Sequence, residues 1–167
     1  MNRSCTVIPF TCPLEKAPTP FGDSELVTEM WIERCIAANS PLNAQDFVVC
    51  SPMPGPFPRS CNIRARFYLI LDLRDLAISI SGFSGPDLLH IERLIPLLGG
   101  DYYKSLTRKR SLLLIQDEAS GHKIRKALQW RVPVVKVGWL WEVILQGDNI
   151  VDIGPWCKNP RGMQSWV

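Results

Sequence analysis

Six cysteines, two histidines and one dense basic turn are the residues of this 167-residue chain whose types could do chemistry. A zinc site needs clustered thiolate and imidazole ligands. Cys5, Cys12, Cys35, Cys50, Cys61 and Cys157 form no CxxC pair, and His90 and His122 lie far from all of them. Neither a metal nor a cofactor is expected. Scattered reduced thiols suit an intracellular protein. His90 has no Cys, Ser or Asp partner pattern and reads as structural. The paired carboxylates Asp117 and Glu118 follow an apolar run with no motif around them. GxGxxG, GxxxxGK[ST], HExxH and GxSxG are all absent from the sequence, so catalysis is not expected. The basic turn carries Lys104, Arg108, Lys109 and Arg110. It could contact DNA phosphates or an acidic partner. It lacks the interleaved aromatics that stack bases, and DNA therefore ranks as a secondary partner. Nineteen Lys and Arg against sixteen Asp and Glu give a net charge of +3, too weak to imply nucleic acid.

The elements that would position these residues fall into three stretches. No apolar run approaches the ~20 residues of a membrane helix, and the N-terminus does not read as a secretory signal. Residues 1–24 are rich in Pro and Cys without a period and read as an irregular tail. Trp31, Ile32, Cys35 and Ile36 then share one helical face. Four prolines and a glycine between Ser51 and Pro58 mark a stiff linker. Residues 59–75 are an uncertain connection, with strand composition at Phe67–Leu71.

From Leu76 the pattern is regular. Ala77–Ser81 alternates as a strand. Ser84, Pro86 and Asp87 open a helix carrying Leu88, Ile91, Ile95 and Leu98, with Pro96 straining its last turn and Gly99-Gly100 ending it. Tyr102–Leu106 reads as a second strand, and Leu112–Ile115 as one buried on both faces. Ser120 can cap a helix over His122–Trp130 with Ile124, Ala127 and Leu128 inward. Val132–Val135 is a fourth strand, and Trp139, Leu140, Val143 and Ile144 mark a third helix closed by Gly147. Strands separated by helices predict an α/β fold with a parallel sheet. Trp31-Ile32-x-x-Cys35-Ile36 repeats the spacing of Trp139-Leu140-x-x-Val143-Ile144, which suggests an array of similar modules.

Residues 76–157 resemble a BRCT domain. The likeness rests on Ile80-Ser81-Gly82-Phe83, Leu98-Gly99-Gly100, Lys123-x-x-x-Ala127-x-x-Trp130, Val132-Pro133-Val134-Val135 and Trp139-Leu140-Trp141. Leu88-Leu89-His90 and Lys126-Ala127-x-x-Trp130 are similar to the fungal multi-BRCT replication and checkpoint scaffolds, relatives of the animal topoisomerase-binding scaffold. Residues 25–58 resemble the third helix and exit tail of a preceding BRCT module, without a sheet of its own, and 158–167 form a C-terminal tail. The third strand has Ser111-Leu112 where many members carry Thr-His.

The resemblance implies a four-stranded parallel sheet with helices one and three on one face and helix two on the other. It implies a non-enzymatic nuclear scaffold that binds phosphorylated partners in DNA replication and damage checkpoint signalling. Members that bind phosphopeptides hold the phosphate with a hydroxyl ending strand one, the N–H of the following Gly, and a Lys opening helix two. Ser81, Gly82 and Lys123 occupy those positions. The chemistry suits the ligand: a phosphoresidue carries about −1.5 to −2 charges and three strong acceptors. Gly82 allows close backbone approach, and Lys123 supplies a mobile point charge. Trp139 and Trp141 are expected in the core, and Trp130 against the sheet. The alternatives are phosphate-independent pairing with another BRCT module or protein through helices one and three, and weak DNA contact through residues 104–110.

Overall fold

In the computed structural model, Ile78 and Ile80 turn their alternation into a buried strand face, as the sequence dictates. The structure describes residues 4–55, 62–66, 69–147, 149–159 and 161; for 62–66 and 69–71 it describes the backbone alone. The chain divides into two compact units, residues 1–57 and 58–167.

The second unit holds the regular α/β pattern. Strands β5 (Ala77–Ser81), β6 (Asp101–Tyr102), β7 (Leu112–Ile115) and β8 (Val134–Lys136) form a wholly parallel sheet in the order β6-β5-β7-β8. Helices α2 (Gly85–Leu97), α3 (His122–Gln129) and α4 (Gly138–Gln146) connect and flank it. Register sorts the side chains by face. Ser79, Leu113 and Val134 pair across one face, and Ile78, Leu112, Ile80, Leu114 and Val135 across the other. Leu113, Ile115 and Val134 pack with Ile124 and Ala127 of α3. This is the four-stranded parallel sheet that the resemblance implied.

Local chemistry sets the ends of the elements. Gly99 at φ +95° lets the Gly99 and Gly100 N–H groups return to the Pro96 and Ile95 carbonyls, which closes α2 despite Pro96. Arg131 does the same for α3 at φ 59°. The residue capping α3 is Gly121, not Ser120 as the sequence suggested. Ser84 stands at the N-cap of α2 but makes no side-chain cap bond there. Leu128, expected inward, is exposed, and Trp141 is half-buried where Trp139 is wholly buried.

Two further sequence expectations change in this unit. Within the uncertain connection, β3 (Asn62–Arg66) and β4 (Leu69–Asp72) form an antiparallel hairpin. β9 (Val151–Asp152) joins β3 in parallel, giving a second sheet ordered β4-β3-β9. Phe67 and Tyr68 of the expected strand lie outside the described residues. The start of the stretch expected only as a C-terminal tail is docked on β8. Lys158 N–H donates to the Val134 carbonyl, Asn159 Oδ1 accepts from Val134 N–H, and Asn159 Nδ2 donates to the Val132 carbonyl. Residues 160 and 162–167 lie outside the described set.

Trp156 donates its indole N–H to Glu142, and its ring lies where a side chain on Gly138 would be. A Cβ at Gly138 would overlap that ring. Gly138→Ala is expected to cost about 1–3 kcal/mol of stability, measured as a lowered urea midpoint.

The first unit differs more from its sequence reading. Cys5–Ile8 is β1, a strand inside the supposed irregular tail, and pairs in parallel with β2 (Glu25–Thr28). Four residues beside Pro9 give too short an alternation to be read, and the partner lies twenty residues away. The stretch resembling a third helix and exit tail, residues 25–58, therefore opens on β2, one strand of a two-stranded sheet whose other strand, β1, precedes it. Helix α1 (Glu29–Ala38) forms where periodicity placed one, but it buries another face. Met30 and Arg34 are buried, Arg34 beneath the Phe47 ring at 4.2 Å. Ile36, expected inward, is 74% exposed, and Trp31 is half-buried with its indole N–H on the Leu42 carbonyl. The repeat thus shares spacing with α4 but not burial. Met53, in the expected linker, is buried and bridges to Pro13. Pro56–Pro58 of that linker lie outside the described residues.

Candidate functional site

The site begins with a strand that stops early. Tyr103 N–H donates to the Ile78 carbonyl, but β6 itself ends at Tyr102 rather than at Leu106. The reason is visible in the next carbonyls. The Ser79 hydroxyl lies 2.9 Å from the Tyr103 carbonyl and 3.0 Å from that of Ser105, which draws this segment out of the ladder. The Ile80 carbonyl, on the strand edge facing that segment, takes a bond from Lys123 instead.

Lys123 is the second residue of α3. Its Nζ donates to the Ile80 carbonyl at 2.7 Å and to the Lys104 carbonyl at 2.8 Å. An ammonium has three N–H donors, so among the described residues one remains for an outside acceptor. The two carbonyls fix a normally mobile side chain beside the end of β5, where Ser81 and Gly82 follow Ile80 directly. Ser81 pairs in register with Ile115, whose side chain belongs to the α3 face. Among the described residues neither the Ser81 hydroxyl nor the Gly82 N–H has a hydrogen-bond partner. Gly82 is exposed at φ +85°, and a Cβ there would lie 2.5 Å from Ala119 Cβ. The loop between β7 and α3 thus abuts Gly82 closely, and only glycine fits.

The three residues named from sequence converge on one end of β5. The two carbonyls that hold Lys123 were not legible, because backbone oxygens carry no sequence signature. The polar Ser79, buried in the sheet, signals only that neighbouring groups must meet its hydroxyl, and these are the Tyr103 and Ser105 carbonyls on either side of Lys104.

Burial holds the Lys123 ammonium below the ordinary lysine pKa. Between that lowered value and the ordinary one the unfolded chain binds more protons, so stability rises with pH across this window. An anion needs the protonated form. Affinity for a phosphorylated peptide is therefore expected to rise from pH 5 to 7, as the phosphate gains its second charge near pH 6. It should fall on the alkaline side sooner than for a solvated lysine. Fluorescence polarisation across pH measures both limbs; a flat profile contradicts this reading.

The basic turn sits next to this site through Lys104. Arg110 lies over the Tyr103 ring at 3.6 Å and donates to the Ser105 carbonyl. Arg108 and Lys126 lie over the Trp130 ring at 5.6 and 5.8 Å. Elsewhere, burial pushes the Cys50 thiol up to about 11, so it stays protonated at neutral pH. His90, on α2, is wholly buried. Among the described residues no group of His, Cys, Asp and Glu could hold a metal ion, and no helix is long and apolar enough to cross a membrane.

Comparison with known proteins bears on this arrangement. The family model of the twin BRCT domain matches residues 76–139. Residues 76–139 belong to the BRCT family. The chain is 29% identical over 163 residues to the S-M checkpoint control protein rad4 of Schizosaccharomyces pombe, covering 95% of this chain and 23% of that protein. It is 30% identical over 122 residues to mouse PAX-interacting protein 1, covering 71% of this chain and 10% of that protein. The crystal structure of the S. pombe Rad4 domain pair BRCT3,4 superposes with a TM-score of 0.69 at 27% identity, covering 92% of this chain and 78% of that one. The chain is thus homologous to multi-BRCT scaffold proteins and spans a quarter or less of these two relatives. BRCT domains are protein-interaction modules.

Proposed function

We propose that this chain is a non-enzymatic BRCT module that captures phosphorylated Ser or Thr motifs of nuclear partners in replication and DNA-damage checkpoint signalling. One observation carries the reading: the Lys123 ammonium, held by two backbone carbonyls, keeps a third donor beside the Ser81 hydroxyl and Gly82 N–H, all three without a partner among the described residues. The phosphate would lie at the end of β5 against the N-terminus of α3, whose partial positive charge adds to Lys123. The partner peptide would run along the surface between β5 and α3. Likeness to a checkpoint control protein supports the signalling context and a nuclear setting.

Polarisation measurements on matched phosphorylated and unphosphorylated peptide libraries test the proposal. Binding confined to the phosphorylated set supports it; equal binding of both sets sinks it.

Residues 25–58 are proposed to be the third helix and exit segment of a preceding BRCT module. Two features support this. β2 runs into α1 as β8 runs into α4, and the likeness to a BRCT pair covers 92% of the chain.

A second reading has its own observation. Leu89 and Leu97 on α2 and Leu145 on α4 are large, apolar and exposed. They could serve phosphate-independent pairing with another BRCT module or protein. Partner capture undiminished in a Ser81→Ala/Lys123→Ala double variant would favour this reading over phosphate capture.

A further inference from the structure

The charge of the chain is concentrated around the candidate site. Residues 104–131 hold eight Lys and Arg and two acids, a net of +6, against +3 for the whole chain. The rest therefore sums to −3. Within the segment the charges are also separated in space. The loop from Tyr103 to Arg110 is tied to Lys123 through the Lys104 carbonyl. Its Arg108 and the Lys126 of α3 both lie over the Trp130 ring, so basic groups run from Lys123 toward the far end of α3. Lys123 to Trp130 is seven residues, about 10 Å of helix, which an extended peptide crosses in about three residues. The loop from Gln116 to Gly121 meets Gly82 through Ala119 and carries exposed Asp117 and Glu118. The mouth of the site thus has one basic and one acidic wall.

The basic wall is preorganised. The Ser79 hydroxyl, Arg110 Nε and Lys123 Nζ together bind the carbonyls of Tyr103, Lys104 and Ser105. Aromatic faces orient Arg108 and Arg110. Among the described residues Lys104, Arg108, Lys109, Arg110 and Lys126 have no carboxylate partner. Oriented cations without a carboxylate partner among the described residues, beginning at the lysine of an anion site, suit an acid carried on the same ligand.

We propose that the module selects phosphopeptides bearing a run of Asp, Glu or further phosphate on one side of the phosphorylated residue. That run lies along Lys104, Arg108 and Lys126 and turns away from Asp117 and Glu118. The inference rests on the phosphate-capture reading and adds an orientation to it. Nucleic acid fits less well. The Tyr103 and Trp130 rings already carry guanidinium and ammonium groups, which leaves less ring surface for base stacking.

The test uses the full chain and short fluorescein-labelled peptides with one central phosphothreonine. In one the flanks are Gly, Ala and Gln. In the other two, three Asp residues stand before or after the phosphothreonine. One acid-flanked peptide is expected to bind about five- to tenfold tighter than the neutral one, as a few exposed charge pairs give together, with the gain shrinking in high salt. The other should gain nothing. Arg108→Gln/Lys126→Gln should erase the gain while leaving the neutral phosphopeptide bound as before. Equal affinity for all three, equal gains on both sides, or a gain surviving in the double variant overturns the inference and leaves phosphate capture intact. A DNA duplex that displaces the favoured peptide, and loses its own binding in the double variant, reassigns the wall to nucleic acid. Failure of every phosphopeptide to bind overturns the phosphate-capture reading, and this inference with it.

Discussion

Lys123→Ala is expected to weaken phosphopeptide binding by tenfold or more in a chain that still folds. One charge-assisted hydrogen bond contributes about 1.5–3 kcal/mol, and about 1.4 kcal/mol is a factor of ten. The variant removes a fixed cation that already touches the end of β5. It also leaves the Ile80 and Lys104 carbonyls without that donor. Some loss of stability should accompany it, reduced by water reaching the vacated space. A urea titration of the same variant separates the two roles. Were Lys123 only a substitute for a missing strand neighbour, the midpoint would drop while preference for the phosphorylated peptide persisted. Ser81→Ala supplies the complementary control, since it removes a hydroxyl without a partner among the described residues and should reduce binding with little change in the midpoint.

Gly82→Ala should be more damaging than its single methyl suggests. At φ +85° an L-residue is strained by roughly 1–2 kcal/mol. The added Cβ would stand 2.5 Å from Ala119 Cβ, well inside the ~3.5–4 Å of carbon contact. Either the loop before α3 moves or the chain after Ser81 lifts, and both displace the phosphate donors. A stability loss of about 2 kcal/mol or more is expected, with phosphopeptide affinity at least tenfold lower. Adding Ala119→Gly removes the clash but not the strain, so it should restore part of the stability. Full stability in Gly82→Ala alone would contradict the observed backbone.

What the sequence made legible follows from the range over which each signal acts. The alternation of Ile78 and Ile80, the run Leu112–Ile115 and the glycine pair after α2 are local, and each appears where the residues placed it. The buried face of α1 was misread because Arg34 is buried beneath Phe47, a contact made by a residue thirteen positions on. The strand at Cys5–Ile8 depends on a partner twenty residues away. The shortened β6 depends on Ser79 and Lys123 reaching its successors, so the site's shape comes from contacts that cross the sheet. Gly82 shows what a single residue can disclose. Glycine between a strand and a helix marks a close approach, and the structure identifies Ala119 as the neighbour.

Backbone amide NMR of the full chain, titrated with a phosphothreonine peptide, tests phosphate capture most directly. The Gly82 N–H, unpartnered among the described residues, should take the phosphate as acceptor. Its resonance should move strongly downfield and saturate with the binding curve, with the unphosphorylated peptide leaving it in place. A Gly82 signal that stays fixed while the peptide binds and shifts resonances elsewhere would contradict phosphate capture at the end of β5.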